Sequence, residues 1–228
     1  MWSLNYSSIN EIMEVLSSHS LAMTKKFGQN FLIAPEAREA IVRIIAPKEG
    51  MRIWEIGPGL GAITHLLVAS KADVRAFEID HGFASILRSE AFADEANFTL
   101  VEGDALETLF KEESLPDRVV GNLPYNVGSQ IIARLIERGT LPPLMVFTLQ
   151  REVGERMTSK PGDDEYSSFS ILTQMDYDNE IAFTIKPGSF YPAPKVESAV
   201  VVMRRKDHSL VPDEDRQRFI TLVRALFA

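Results

Sequence analysis

The sequence predicts an α/β fold in which a doubly wound, mostly parallel sheet carries helices on both faces. Between residues 51 and 150, short apolar runs alternate with segments of helical periodicity, which is typical of parallel strands joined by crossover helices. Further along the chain, the apolar runs 180–186 and 197–205 are separated by a short proline-rich loop. Because that loop is too short for a parallel crossover, we expect these two strands to pair antiparallel.

The elements run from a short amphipathic helix near the N-terminus to a helical pattern at the C-terminus. The first helix is predicted to carry Ile9, Ile12, Met13 and Leu16 on one side. The predicted strands are 51–56, 73–79, 97–103, 117–123, 144–150, 180–186 and 197–205. The predicted helices after the first are 61–70, 83–92, 127–139 and 218–228.

The composition argues against several classes of protein. A formal net charge of −8 argues against bulk electrostatic binding of nucleic acid. A chain with this net charge can still carry a local basic face. Cysteine is absent and the four histidines are scattered, so no metal site is indicated. No apolar run approaches the roughly 20 residues of a membrane-spanning helix, and the N-terminus lacks a secretory signal pattern. We therefore expect a cytoplasmic monomer that uses neither a metal nor a membrane.

A glycine-rich turn follows the first strand of the predicted sheet. Residues 55–61 read EIGPGLG, so Glu55 precedes Gly57, Gly59 and Gly61. Glycines let a backbone turn tightly and approach a ligand closely. The spacing is GxGxG rather than the GxGxxG of a dinucleotide loop, and the Glu55 carboxylate would be poorly placed against a pyrophosphate. The turn therefore favours a cationic nucleoside such as S-adenosylmethionine (SAM) over NAD.

Two further acids lie at the ends of the next two strands. Glu78 ends the second strand, where a carboxylate can accept hydrogen bonds from ribose hydroxyls, and Asp104, followed by Ala105, is placed to accept from an adenine amino group. Each acid alone could be a helix cap or a turn residue. Because the carboxyl ends of neighbouring parallel strands meet in one crevice, three acids at strand ends favour a ligand site. Together they predict a Rossmann-like sheet of the SAM-dependent methyltransferase type.

The fourth strand ends in the sequence Asn122-Leu123-Pro124-Tyr125, on the rim of the same crevice. An exocyclic amino group of a base is a poor nucleophile, because its lone pair is delocalised into the ring. The Asn122 side-chain oxygen and the Leu123 carbonyl can accept its hydrogens and turn the lone pair toward a methyl donor. Pro124 stiffens that backbone, and Tyr125 offers a stacking face worth about 1–3 kcal/mol per base. The alternative is a structural loop with a packed tyrosine.

A second aromatic ring is predicted at the pocket mouth. Residues 189–196 read SFYPAPKV, and the prolines of this loop would hold Phe190 rigidly. A base held between Tyr125 and Phe190 must leave its own stack, which costs a few kcal/mol if the base is paired. An exposed loop adenosine would therefore be the easiest substrate.

These motifs, in this order, resemble those of the small-subunit ribosomal RNA adenine N6,N6-dimethyltransferases, the KsgA-like family. The matching motifs are FGQNFL (27–32), EIGPGLGAIT (55–64), FEID (77–80), GDAL (103–106), NLPYN (122–126), QREVGERM (150–157) and FYPAPKVESAVV (190–201). The resemblance implies that the SAM contacts include Asn30, Leu32, Gly57, Glu78, Asp104 and Asn122. It also implies an RNA-binding enzyme of rRNA processing and ribosome biogenesis. Its substrate would be two adjacent adenosines in a loop near the 3′ end of small-subunit rRNA, presented by an immature small ribosomal subunit.

The chain departs from the family pattern in three respects. Residues 166–170 read YSSFS where the family usually has YGRLS, so an arginine expected to contact RNA is missing. The chain is acidic where family members are commonly basic. It also ends at Ala228, where the family normally continues into a small helical domain. We therefore expect an N-terminal helical extension (1–23), a catalytic domain (24–206) and the start of a truncated C-terminal helical domain (207–228).

Other functions stay open at this point. The nearest alternative is a large-subunit rRNA adenine N6-methyltransferase of the macrolide-resistance type. A DNA adenine methyltransferase usually carries a separate target-recognition region, for which 228 residues leave little room. A non-catalytic ribosome-assembly factor on the same fold is a different class, against which the complete NLPY motif and the three acids argue. An NAD enzyme is disfavoured by the glycine spacing.

Overall fold

The computed structural model describes residues 2–21, 30–112 and 114–227 of the chain. The strands are β1 (Phe31–Leu32), β2 (Arg52–Ile56), β3 (Asp73–Glu78), β4 (Phe98–Glu102), β5 (Arg118–Asn122), β6 (Leu144–Gln150), β7 (Tyr177–Ile185), β8 (Phe190–Tyr191) and β9 (Ser198–Arg205). The helices are α1 (Ile9–Ser18), α2 (Pro35–Ile45), α3 (Thr64–Ala69), α4 (His81–Ile86), α5 (Ala105–Thr108), α6 (Gly128–Glu137), α7 (Arg151–Thr158), α8 (Ser168–Asp176) and α9 (Arg216–Leu226).

Seven strands form one sheet in the order β4-β3-β2-β5-β6-β9-β7, and β1 pairs with β8 in a separate two-stranded ribbon. Strands β2 to β6 of that sheet are parallel. The last two strands of the sheet run antiparallel, β9 to β6 and β7 to β9. The doubly wound, mostly parallel sheet and its antiparallel pair near the C-terminus are therefore confirmed. The chain order reverses between β2 and β5, and their carboxyl ends open a crevice of the kind that binds ligands in such sheets.

The central strands are apolar on both sides because helices cover both faces of the sheet. On β6, Met145, Phe147 and Leu149 belong to one core cluster, while the alternating Leu144 and Val146 belong to the cluster on the other face. Every residue of β6 except the last is buried. Successive side chains of a strand point to opposite faces of the sheet, and here both faces are buried. The sequence therefore shows these strands as continuous apolar runs rather than as alternating patterns.

Helix α1 packs behind the glycine-rich turn. Ile12 and Leu16 are buried in a cluster that includes Phe31 of β1, whereas Ile9 and Met13 are 40% and 45% exposed. The four apolar residues lie on one side of the helix as predicted, within an arc of about 100°, but only two of them are buried. Positions 9 and 13 lie on the flank of the stripe formed by positions 12 and 16, because each residue turns the helix by about 100°.

Helix α9 packs on the main core. Its Ile220 and Val223 are buried, and Arg216 donates hydrogen bonds to both carboxylate oxygens of Asp176 at 2.9 and 2.6 Å.

The expected division of the chain into three parts stays a prediction, and its first boundary lies outside the described residues. None of the helices in the described part of the chain is both long and apolar enough to cross a membrane.

Gly61, the third glycine of the turn, is required by packing. Its φ is +91°, and a Cβ at this position would lie 2.8 Å from the ring of Phe92 and 3.2 Å from the hydroxyl of Tyr6. We expect Gly61→Ala to lower the free energy of unfolding by about 2–4 kcal/mol, combining left-handed strain with overpacking. Denaturant unfolding measures this change.

Gly50 provides the matched control for this substitution. Its φ is +71°, yet a Cβ there would meet nothing within 4 Å, so Gly50→Ala carries only the backbone strain of about 1–2 kcal/mol. A Gly61→Ala variant no less stable than Gly50→Ala would contradict the packing explanation.

Candidate active site

One cavity of about 280 Å³ opens at the carboxyl ends of β2, β3, β4 and β5. Its walls combine the glycine-rich turn, the three strand-end acids and the NLPY segment. The predicted site residues that line it are Asn30, Leu32, Glu55, Gly57, Gly59, Glu78, Asp104, Ala105, Asn122, Leu123, Pro124 and Tyr125. The fold therefore brings together residues that are up to 95 positions apart in the sequence, from Asn30 to Tyr125.

Glu55 is a buried acid on the cavity wall. Its side chain is 2% exposed, and its Oε2 atom has no hydrogen-bond partner among the described residues. Burial raises the pKa of Glu55 to about 7, and the nearby Glu78 carboxylate adds to the increase. A buried acceptor without a partner is costly on its own, so this atom suits a ligand that brings a hydrogen-bond donor or a positive charge.

Glu78 is held by the backbone on both carboxylate oxygens. The Gly59 N–H donates to Oε2 at 3.1 Å, and the Asp80 N–H donates to Oε1 at 2.8 Å. Burial raises the pKa of Glu78 to about 7, while these two hydrogen bonds act in the opposite direction. Because each oxygen of a carboxylate has two acceptor sites, both can still accept a hydroxyl from a ligand.

Asp104 caps helix α5 and contributes to the same wall. Its Oδ1 atom accepts a hydrogen bond from the Leu106 N–H at 2.8 Å, and the Gly103 N–H donates to the Glu78 carbonyl at 2.8 Å. Ala105 begins the helix directly after this carboxylate. This end of the cavity therefore offers a carboxylate acceptor, which suits the amino group of an adenine ring.

The NLPY segment is fixed by three backbone contacts. The Asn122 side-chain N–H donates to the Asn30 carbonyl at 2.7 Å, which sets the plane of the amide and leaves Oδ1 as its acceptor. The Leu123 N–H donates to the carbonyl of Thr148 on β6 at 3.1 Å. The Pro124 carbonyl accepts from the first N–H groups of the segment that opens α6. Asn122 and Leu123 therefore line the cavity on a backbone that is held rigidly at the end of β5.

Two predicted site residues do not line the cavity. Gly61 faces Phe92 and Tyr6, away from the other glycines. The expected position of Phe190 at the pocket mouth was wrong, because its side chain is only 2% exposed. Phe190 lies on β8, pairs with Leu32 of β1 and packs in the same core cluster as Leu32. The pairing of β8 with β1 places the Phe190 ring in the core. The stacking role assigned to Phe190 stays a prediction.

Several apolar residues of the cavity were not predicted. They are Phe31, Ile79, Phe83, Leu106 and Ile131. Ile79 is 43% exposed and directly follows Glu78, so it offers an apolar surface beside the acid. The position of Ile79, directly after the strand-end acid Glu78, was the feature of the sequence that could have predicted it as a cavity residue. Phe31 and Leu106 stand in the motifs FGQNFL and GDAL but were not assigned to the site, and Phe83 and Ile131 have the sequence pattern of ordinary core residues.

The fold and these acids define a class of protein, the SAM-dependent methyltransferases with a Rossmann-like sheet. Among solved structures, the chain is similar to a dimethyladenosine transferase from Plasmodium falciparum, with a TM-score of 0.74 and 28% identity over 85% of this chain and 69% of that one. It is also similar to the 23S rRNA methyltransferase ErmE, with a TM-score of 0.70 and 26% identity over 85% of this chain and 77% of that one.

The sequence comparisons define the family within that class. The model of the ribosomal RNA adenine dimethylase family matches residues 21–228, so the chain belongs to this family. A relative named ribosomal RNA small subunit methyltransferase A, from Treponema denticola, is 41% identical over 98% of this chain and 78% of its own length. The resemblance drawn from the sequence motifs is thereby confirmed.

Proposed function

We propose that this protein uses SAM to dimethylate the N6 amino groups of two adjacent adenosines near the 3′ end of small-subunit rRNA. The observation that carries the proposal is a single cavity in which three strand-end acids and the NLPY acceptors face one another. The names of the relatives add the small subunit as the substrate. An enzyme with this substrate acts in the cytoplasm on immature small ribosomal subunits and belongs to ribosome biogenesis.

The residues present fit SAM. The Glu55 Oε2 atom, which has no hydrogen-bond partner within 2–21, 30–112 and 114–227, suits the amino group of the methionine part, and the Glu78 oxygens suit the two ribose hydroxyls. Asp104 would accept from the adenine amino group. At Gly57, φ is +69°, a left-handed conformation that favours glycine at this point of the cavity wall.

When bound, SAM supplies an electrophilic methyl group on a sulfonium. The chain then orients the adenine. In the first transfer, the Asn122 Oδ1 atom and the Leu123 carbonyl accept the two N6–H groups, which takes the lone pair of N6 out of conjugation with the ring. In the second transfer, one of these acceptors holds the remaining N6–H group. Because orientation alone can account for about 7–11 kcal/mol of a barrier, no strong base is needed, and one N6 proton is released to solvent in each transfer.

Tyr125 would provide the stacking face for the base. Tyr125 is half-buried and lines the same cavity as Asn122, so we infer that a base stacked on its ring presents N6 to Asn122. Unstacking costs least for a base that is already unpaired, which favours a loop adenosine. A large-subunit adenosine is the second candidate substrate, since the ErmE structure shares the fold.

The two raised pKa values predict that SAM affinity depends on pH. In the free protein, Glu55 and Glu78 have pKa values of about 7, so both become protonated as the pH falls below neutral. A cationic ligand favours the ionised forms, and binding at acidic pH must first release a proton. Since the ionised fraction of one such group falls about 25-fold from pH 7.5 to pH 5.5, we expect the Kd for SAM to rise at least about 25-fold over this range.

Isothermal titration calorimetry across this range measures the effect. The Glu55→Gln variant, which cannot ionise at this position, is expected to show a weaker dependence on pH. A constant Kd for the parent protein would contradict the assignment of these acids to the SAM site.

Substrate choice tests the proposed function. Methyl-labelled SAM is incubated with unmethylated small subunits, with large subunits and with duplex DNA, and SAM binding is measured in parallel. Label in small subunits alone is the expected result. Label in large subunits would favour the second candidate, and SAM binding without transfer to any substrate would favour a non-catalytic assembly factor.

A further inference from the structure

Ser198 is placed to control the orientation of the Tyr125 ring. The hydroxyl oxygens of these two residues lie 2.5 Å apart, a short hydrogen bond between positions 73 apart in the sequence. Tyr125 is anchored to the sheet at its backbone end, through the NLPY segment, and at its hydroxyl end through Ser198. A bond at the far end of the ring restricts both side-chain torsions of the tyrosine, which the backbone alone leaves free.

Ser198 itself is a rigid anchor. It is fully buried at the start of β9, where it lies opposite Gln150 of β6 on one side and Ile185 of β7 on the other. The residue before it is also fixed, because the Arg151 N–H donates to the Glu197 carbonyl at 3.0 Å. The serine hydroxyl therefore cannot follow the tyrosine if the tyrosine moves.

The chemistry of the pair suits a permanent contact. Burial raises the pKa of the Tyr125 hydroxyl above its ordinary value, so the phenol stays protonated at neutral and mildly basic pH. Either hydroxyl can donate. Without its partner, the half-buried phenol would lose a hydrogen bond and gain freedom to rotate in the cavity.

We propose that Ser198 is a positioning residue for methyl transfer, because its buried hydroxyl holds the Tyr125 ring where an adenine can stack with N6 facing Asn122. This inference rests on the proposed function. It assigns a role to a serine that makes no contact with the cavity, so Ser198 acts through Tyr125. Substitution of either hydroxyl should impair the use of RNA while SAM binding stays unchanged.

A double-mutant cycle tests the inference. The four proteins are the parent, Ser198→Ala, Tyr125→Phe and the double variant, each assayed for methyl transfer to unmethylated small subunits. Each single variant is expected to lower kcat/KM about 2- to 12-fold, the effect of losing one neutral hydrogen bond of about 0.5–1.5 kcal/mol. The double variant should be no worse than either single one, because both remove the same bond. The Kd for SAM should stay within about twofold of the parent value in all four.

Ser159→Ala is the matched control. Ser159 is also buried, and its hydroxyl donates to the Glu155 carbonyl at 2.7 Å, away from the cavity. Loss of the Ser159 hydroxyl should lower the melting temperature of the protein without changing kcat/KM. If Ser198→Ala is too unstable to assay, Tyr125→Phe removes the same bond from the half-buried side.

Three results would overturn the inference. Parent-like kcat/KM in Tyr125→Phe or in Ser198→Ala would show that the hydroxyl bond does not matter for transfer. Additive losses in the double variant would show that Ser198 acts by another route. A parent protein that binds SAM but methylates no small subunits would refute the proposed function instead, and the inference would fall with it.

Discussion

Replacing Asn122 with alanine is expected to lower the rate of methyl transfer at least about 100-fold, the size of effect seen when one preorganised hydrogen-bonding group is lost at a reacting centre. The variant removes the Oδ1 acceptor for N6 and also the bond to the Asn30 carbonyl that fixes the end of β5. With one acceptor left, the N6 lone pair stays in conjugation with the ring. Single-turnover transfer to small subunits measures the loss, with circular dichroism to establish the fold.

Asn97 is the control for the Asn122 variant. Its side-chain N–H groups also donate to backbone carbonyls, those of Val68 and Ala72 at 3.0 and 2.8 Å, but it does not line the cavity. Asn97→Ala should therefore cost stability and leave the single-turnover rate within about twofold of the parent. An Asn122→Ala variant that keeps more than a tenth of the parent rate would refute the orientation mechanism.

Replacing Glu78 with alanine is expected to raise the Kd for SAM by about 100-fold or more, since two hydrogen bonds to a charged acceptor contribute about 1.5–3 kcal/mol each. The same change leaves the N–H groups of Gly59 and Asp80 without their acceptor, which loosens the glycine-rich turn. Binding of SAM by calorimetry measures the loss directly. It needs no RNA substrate, so it separates cofactor recognition from transfer.

Glu102 is the matched acid for Glu78. It lies opposite Glu78 in the β3–β4 register, but its carboxylate pairs with Arg88 at 2.7 Å instead of facing the cavity. Glu102→Ala should leave the Kd for SAM within about twofold of the parent value. If Glu78→Ala binds SAM as tightly as Glu102→Ala, the ribose assignment is wrong.

The parallel sheet and most of the cavity wall could be predicted because both follow from local patterns. A buried strand between two helical layers appears as a continuous apolar run, and the residue that ends it lies at a known edge of the sheet. The sequence alone therefore predicts that Glu55, Glu78, Asp104 and Asn122 lie together. Helices α2, α5, α7 and α8 were not among the predicted elements.

The features that could not be predicted depend on partners distant in the sequence. Phe190 lies in the core because β8 pairs with β1, about 160 residues earlier, and a two-residue strand leaves no periodic signal. Gly61 is excluded from the cavity by Phe92 and Tyr6, which no spacing rule connects to it. The Ser198 contact with Tyr125 likewise requires β9 to lie next to β6.

The most direct test of the central claim is nucleoside analysis of small subunits methylated by this protein. The rRNA is cut near its 3′ end, digested and examined by mass spectrometry. The proposed site predicts two N6,N6-dimethyladenosines per subunit in the 3′-end fragment with the parent protein and none with Asn122→Ala. Dimethyladenosine formed equally by Asn122→Ala, or its absence with a parent protein that binds SAM, would contradict the claim that this cavity methylates adenosine.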